Sequence, residues 1–311
     1  MKIITLTLSP AIDIHCQAED FSAERENFAK ATSRDAGGKG INISRALLSQ
    51  GIKSHAIIAL GEENADGFLS SLTADGIDFS AIKTKGRIRE NITIHPKNAK
   101  ETRLSFEGFC GNDSLYNQVE NQITSICENG DIIAIAGSIP EGIDTKKIKA
   151  LAIRLRGLGA RVIIDSRSLS PADIIECAPF LIKPNEEEAA AYADNAISID
   201  DAAKVAKEIM ENGVENVMIS LGEIGAVLAC KDGVFFAKAP KINALSTVGA
   251  GDSSIAGFIA AYTEGKPLYD CLKAAVAFGS AACLTSGTKP PRTDDIIALM
   301  SEISVDKKEE I

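Results

Sequence analysis

The sequence predicts an α/β fold in which a mostly parallel central sheet is covered by helices on both faces and carries a small β-sheet lid. Three observations predict it. Short unbroken apolar runs, bounded by Gly, Asp or Pro, recur along the chain, as expected of strands buried on both faces. Helical apolar spacing fills the intervals, and strand–helix alternation builds parallel sheets. Two more polar segments, 13–34 and 86–107, break that rhythm with short alternating patterns.

The elements follow in chain order. Residues 1–8 mix polar and apolar positions and end at Ser9-Pro10, which reads as a first strand; the apolar run is too short and polar for a signal peptide. Residues 57–60, 132–136, 162–165 and 180–182 are the apolar runs of central strands, and 41–48, 148–155 and 202–210 carry helical spacing. Residues 250–264, 267–287 and 292–303 read as three consecutive helices, and the charged tail 305–311 is expected to fray. Within the two polar segments, Asn91-Ile92-Thr93-Ile94 and Thr102-Arg103-Leu104-Ser105-Phe106 read as antiparallel strands outside the main sheet. They form the lid, and its apolar face seeks a partner, so a homodimer through the lid is expected. No repeat, low-complexity tract or linker interrupts the chain, and 1–311 reads as a single unit.

Composition narrows the function. The 311 residues are 45% hydrophobic, enough for a large core, and the net charge of -10 argues against nucleic acid or an anionic membrane as partner. Local cations remain free to meet an acidic small molecule. No apolar stretch reaches the length of a membrane span. Seven scattered cysteines, odd in number and without a CxxC pair, suit buried free thiols in a reducing cytoplasm. The 3 histidines lack metal-ligand spacing, and no GxGxxG follows the first strand.

The most informative stretch is Ser246-Thr247-Val248-Gly249-Ala250-Gly251-Asp252-Ser253 at the head of an apolar helix. Uncovered N–H groups there suit phosphate oxygens, and the Asp252 carboxylate beside them is a proton acceptor; a glycine turn with an ordinary N-cap has the same letters. Asp35-Ala36-Gly37-Gly38-Lys39-Gly40-Ile41-Asn42 is not a Walker A loop, but it sets a cation and an amide at a second helix start, suited to a sugar or to a plain tight turn. Asp13 fits a sugar-hydroxyl acceptor or a turn residue. Arg89 and Arg103, one on each lid strand, suit bidentate phosphate binding if both point inward, and otherwise are surface residues. Asn185 and Glu188, one helical turn apart, suit a hydrated Mg²⁺ or an acidic first turn matched to the helix dipole. Ser220, Gly222 and Gly225 admit close backbone approach to a ligand or form a bare turn. Ser138 follows a strand and can reach a substrate.

Together these motifs resemble the ribokinase-like sugar kinases of the PfkB type, from residue 3 to residue 288. Gly-Gly-Lys-Gly-Ile-Asn at 37–42 and Val-Gly-Ala-Gly-Asp at 248–252 carry the resemblance, in the family's order and spacing. Leu8-Ser9-Pro10-Ala11-Ile12-Asp13 and Leu181-Ile182-Lys183-Pro184-Asn185 are similar to the 1-phosphofructokinase and tagatose-6-phosphate kinase branch. The resemblance implies a three-layer α/β/α ribokinase-like fold and ATP-dependent phosphorylation of a hexose phosphate. It implies Asp252 as base and Gly249, Ala250 and Gly251 as anion hole. Asp13, Gly38, Lys39, Asn42, Arg89, Arg103 and Ser138 would hold the sugar phosphate. Lys183, Asn185, Ser220, Gly222 and Gly225 would line the ATP side, with Asn185 and Glu188 tuning Mg²⁺. Fructose 1-phosphate is the expected substrate and tagatose 6-phosphate the alternative; a non-catalytic sugar-phosphate regulator and a nucleoside kinase are the other readings. Four departures stand out: Glu26 and Phe28 where relatives carry basic residues on the first lid strand, Ser9 for Asn, residues 104–109 in place of the branch's Asn-Glu-Pro-Gly pattern, and Ser246 for the Asp of potassium-dependent relatives.

Overall fold

A computed structural model describes residues 1–192 and 198–308. Strand β1 (Ile3–Thr7) is followed by β2 (Ala11–Ala18), β3 (Ala29–Gly37) and helix α1 (Lys39–Leu48). Next come β4 (His55–Gly61), α2 (Ala65–Ala74), β5 (Asp78–Thr84), β6 (Arg89–Pro96) and β7 (Thr102–Ser105). The middle of the chain holds α3 (Asp113–Ile126), β8 (Ile132–Ala136), α4 (Thr145–Gly157), β9 (Arg161–Asp165), α5 (Pro171–Cys177), β10 (Leu181–Ile182), α6 (Glu186–Ala189) and α7 (Ile199–Glu211). Strands β11 (Val217–Ser220), β12 (Gly225–Cys230) and β13 (Gly233–Lys238) precede α8 (Ala250–Thr263), α9 (Leu268–Ala282), α10 (Thr293–Glu302) and β14 (Val305–Lys308).

The main sheet has ten strands in the order β14-β13-β12-β11-β10-β9-β8-β1-β4-β5. Every pair from β11 to β5 is parallel, and the β12–β14 edge is antiparallel. Central strands bury both faces, and their side chains alternate between two cores. Ile133 and Ile135 of β8 join α3, α4, α5 and α7 on one side. Ile132, Ala134 and Ala136 join α1, α8, α9 and α10 on the other. This is the expected three-layer arrangement.

The lid is a separate four-stranded sheet in the order β3-β2-β6-β7. Its root packs into a third core, where Ile12 and Ala36 meet Ile41 of α1 and Phe68 and Leu72 of α2. Ile14, Ile92 and Leu104 stand side by side across three lid strands. Leu104 and Phe106 are exposed, and Phe28 is 81% exposed.

Three expectations need correction. Residues 305–308 do not fray: they pair antiparallel with β13, because the tail meets an open sheet edge; residues 309–311 lie outside the described residues. Glu26 and Phe28 precede β3 instead of standing on a lid strand. The cysteines are all free, but only Cys177, Cys230 and Cys271 are buried, and Cys110 is exposed. Among the described residues, no helix is long and apolar enough to cross a membrane.

Candidate active site

The parallel strands end together on one side of the sheet, and the loops leaving them gather the polar residues. Asp252 lies in the first turn of α8 and is 6% exposed. Gly249 caps that helix in the left-handed conformation (φ 80°), which glycine adopts without strain. The first-turn N–H groups of α8 have no intrahelical acceptor, as is usual at a helix start where anions bind; that of Ala250 makes a long contact to the Thr247 carbonyl at 3.3 Å. Burial pushes the Asp252 carboxyl up to about 6, and the charge of Asp165 adds to that; a hydrogen bond from Asn42 and the charges of Lys39 and Lys183 oppose it. Asn42 Nδ2 donates to Asp252 Oδ2 at 2.8 Å. The Lys183 ammonium lies over the turn, where a β-carbon on Gly251 would come within 3.1 Å of Nζ.

Lys39 projects from the first turn of α1 and donates to Asp165 Oδ1 at 3.0 Å. Burial lowers its pKa, but the carboxylates of Asp165 and Asp252 outweigh this and the net shift is upward. Lys39 is therefore a fixed cation. The Gly137–Ser138 loop passes beside it, within 3.8 Å of the Lys39 stem measured from a β-carbon at Gly137, and Ser138 is exposed.

The lid contributes the other cations. Asp13 Oδ1 accepts from Asn91 Nδ2 at 2.8 Å and from Arg103 at 3.1 Å. A side chain at Gly37 would strike Asp13 Oδ2 at 2.1 Å, so the glycine lets the lid strand and the carboxylate share this space. Arg89 donates to the Ser9 carbonyl at 3.3 Å, and its Nε is buried without a partner. Burial lowers the Arg89 pKa; Arg103 lowers it further and Asp13 opposes both. Arg103 thus pairs directly with Asp13, while Arg89, on the neighbouring lid strand, is held at the Ser9 carbonyl and feels the Asp13 charge. Gly38 caps α1 and accepts from the Asn42 N–H, which places Asn42 between this cluster and Asp252.

The remaining residues collect at β10 and β11. Asn185 bridges to Ser220, and the Ser220 N–H donates to the Pro184 carbonyl at 3.0 Å. Gly222 faces open space. Gly225 has a packing reason of its own, since a β-carbon there would meet the Ala237 carbonyl at 2.0 Å across the β12–β13 hairpin. Asn185 and Glu188 form a capping box: Glu188 N–H donates to Asn185 Oδ1 at 2.8 Å, and Asn185 N–H donates to Glu188 Oε2 at 2.9 Å. Arg167 takes the other Glu188 oxygen. Both side chains offer the hard oxygen donors that Mg²⁺ selects, and in this state both are committed to protein partners. A cavity of about 390 Å³ opens between Asp165, Arg167, Lys183 and Glu188.

Three residues escaped the sequence reading. Asp165 is buried with one carboxylate oxygen unpaired; it ends an apolar run and was visible only as that run's boundary. Asn91, buried beside Asp13, was visible only as a lid-strand residue. Arg45 donates to Asn42 Oδ1 at 2.9 Å, and its i,i+3 spacing from Asn42 was the available signal. Ser246, in place of an acidic residue, accepts from the Val248 N–H at 3.2 Å. His15 and His95 stack in the lid with ring nitrogens 3.0 Å apart.

A parallel α/β scaffold with a buried carboxylate at a helix start and a separate lid sheet is the arrangement of small-molecule kinases. Within that class, the chain belongs to the pfkB family of carbohydrate kinases, whose family model matches residues 6–295. It is 32% identical to the 1-phosphofructokinase of Bacillus subtilis (strain 168), over 91% of this chain and 93% of that protein. It is 34% identical to the 1-phosphofructokinase of Borreliella burgdorferi, over 91% of this chain and 92% of that protein. The phosphofructokinase-2 of Escherichia coli, solved in complex with fructose-6-phosphate, superposes with a TM-score of 0.90 at 28% identity, covering 97% of this chain and 98% of the other. The chain is an ATP-dependent sugar kinase of ribokinase-like fold acting on a hexose phosphate.

Proposed function

We propose that the substrate is fructose 1-phosphate, converted with ATP to fructose 1,6-bisphosphate. The observation that carries this is the Arg103–Asp13 pair on the lid with Arg89 beside it, whose buried Nε has no partner: two guanidinium groups and a hydroxyl acceptor where a phosphorylated sugar would lie. The curated relatives named 1-phosphofructokinase support it. A neutral nucleoside would have no use for that cluster, which sets the nucleoside-kinase reading aside. The intact Asp252 and Gly249–Gly251 turn weigh against a non-catalytic regulator.

In this reading Asp13, Gly38, Lys39, Asn42, Ser138 and the two arginines hold the sugar phosphate. Asp252 accepts the proton of the free primary hydroxyl as its oxygen attacks the γ-phosphorus and the bond to ADP breaks. Such transfer is loose in its transition state, so positioning and charge stabilisation dominate. The N–H groups of Gly249, Ala250 and Gly251, with Lys39 and Lys183, receive the charge on the transferring group. Lys183, Asn185, Ser220 and Gly222 line the ATP side, where Gly225 shapes the hairpin. Mg²⁺, when bound, neutralises phosphate charge; Glu188 would hold it through water while keeping its cap, with Asn185 as the second oxygen donor.

Residues 1–311 act as one unit under a lid drawn from 13–34 and 86–107. The Ile14–Ile92–Leu104 row, half-buried at the two isoleucines and exposed at Leu104, supports a homodimer through the lid, and seven free thiols suit a cytoplasmic setting. Fructose 6-phosphate is a second reading, favoured by the likeness to the fructose-6-phosphate complex, and tagatose 6-phosphate is a third. A coupled ADP-release assay across the three sugar phosphates and free fructose tests the proposal. Preference for fructose 1-phosphate, lost in Asp252→Asn, is the expected result; turnover of free fructose alone would overturn the substrate class.

A further inference from the structure

Arg45 lies one turn after Asn42 on α1 and is buried. Its guanidinium is divided among three elements. Nε donates to Asp75, the C-cap of α2, at 3.0 Å. One terminal nitrogen donates to the Asn42 side-chain oxygen at 2.9 Å. The other donates to the carbonyl of Ala36, next to the last residue of lid strand β3, at 2.7 Å.

A guanidinium only donates hydrogen bonds, and an ionised carboxylate only accepts them. Arg45 on one side and Asp252 on the other therefore leave the Asn42 amide one orientation, carbonyl toward Arg45 and NH₂ toward Asp252. Without Arg45 the amide is free to turn, and its carbonyl would face the base. The chain Arg45–Asn42–Asp252 also starts at the lid root, since the same guanidinium grips Ala36.

We infer that Arg45 is a positioning residue for phosphoryl transfer: it locks the Asn42 amide as a donor to Asp252 and ties that lock to the lid strand at Ala36. This rests on the reading of Asp252 as base. The groups facing Asp252 are Asp165 from β9, Lys39 and Asn42 from α1, and Lys183 after β10. Of these, only Asn42 is held by Arg45. Loss of Arg45 thus removes one stabiliser of the ionised base and leaves the others in place. A hydrogen bond to a charged group, once lost, shifts such a buried carboxyl by about 1 pH unit.

The test is the pH dependence of kcat for Arg45→Met, Arg45→Lys and Asp75→Asn, with melting temperatures measured alongside. Asp75→Asn weakens the Arg45 anchor on α2 but keeps the contact to Asn42, so it controls for fold stability. The expected result is an acidic limb moved upward by about 1 unit in Arg45→Met, partly restored in Arg45→Lys, and unmoved in Asp75→Asn despite a lower melting temperature. The KM for ATP stays within about twofold, as befits a residue remote from the nucleotide. An acidic limb that stays at the wild-type position in a folded Arg45→Met protein overturns the inference. If wild type shows no acidic limb, or Asp252→Asn keeps full turnover, it is the reading of Asp252 as base that fails.

Discussion

Asn42 and Asp252 stand 210 residues apart in the chain, yet their side chains meet at 2.8 Å. The contact joins the first turns of α1 and α8, the helices that open the sugar-side and phosphate-side loops. It ties the loop that starts α1 to the buried carboxylate of α8.

The pH behaviour of Asp252 follows from its burial. Its carboxyl is raised from 3.8 to about 6, so the folded state holds this proton more tightly than the unfolded chain. The resulting stability is fully present in acid and is lost as pH rises through that window. With Asp252 as the proposed base, turnover needs the ionised form and should decline below about pH 6. Asp252→Asn should lower kcat by about 10²–10⁴-fold. At pH 8 it should melt a few degrees above wild type, since a buried charge is gone. Calorimetric scans check the sign; a lower melting temperature would contradict it.

Lys39 neutralises a carboxylate that is otherwise buried and half-satisfied. Lys39→Met leaves Asp165 charged and alone, so the melting temperature should drop by several degrees. Adding Asp165→Asn should recover most of that stability. It should not recover activity, because the cation proposed to meet the phosphate is still missing. Equal recovery of both would assign Lys39 to stability alone.

Two glycines, Gly251 and Gly225, should behave differently. In Gly251→Ala the new methyl meets only the end of a flexible lysine, at 3.1 Å, so the fold survives while the Lys183 ammonium is displaced. A drop in kcat of about tenfold or more is expected, with little change in melting temperature. In Gly225→Ala the methyl meets the Ala237 carbonyl at 2.0 Å, and φ is 137°. That change should destabilise the β12–β13 hairpin outright, visible as a lower melting temperature and reduced soluble yield.

The lid face predicts assembly. Leu104→Glu sets a charge in the Ile14–Ile92–Leu104 row and should convert a dimer to a monomer in light scattering. A wild-type mass of one chain at micromolar concentration would remove the proposed interface. An unchanged dimer in the variant would move it elsewhere.

Much of this site was legible in the letters because backbone geometry has local signatures. The glycine-rich stretches at 249–251 and 37–42 do stand at helix starts, while the lid strands run past the expected segment, from Ala11 to Gly37. The Asn185–Glu188 pair shows where local spacing stops being informative. An Asn and a Glu three residues apart satisfy a capping box and a cation pair equally well, and here they make the box. Asp165, Asn91 and Arg45 were illegible for a related reason: each gains its role from a partner on another element.

The sequence by itself determined the strand–helix alternation, hence the parallel sheet, and the glycine turns that leave helix N-termini open. These depend on residues a few positions apart, which the chain holds together at any stage of folding. Only the tertiary structure decided that Asn42 reaches Asp252, that Arg103 turns to Asp13, and that residues 305–308 complete a sheet edge. Those outcomes depend on strand order and register, which bring distant side chains within hydrogen-bond reach only after the cores have packed.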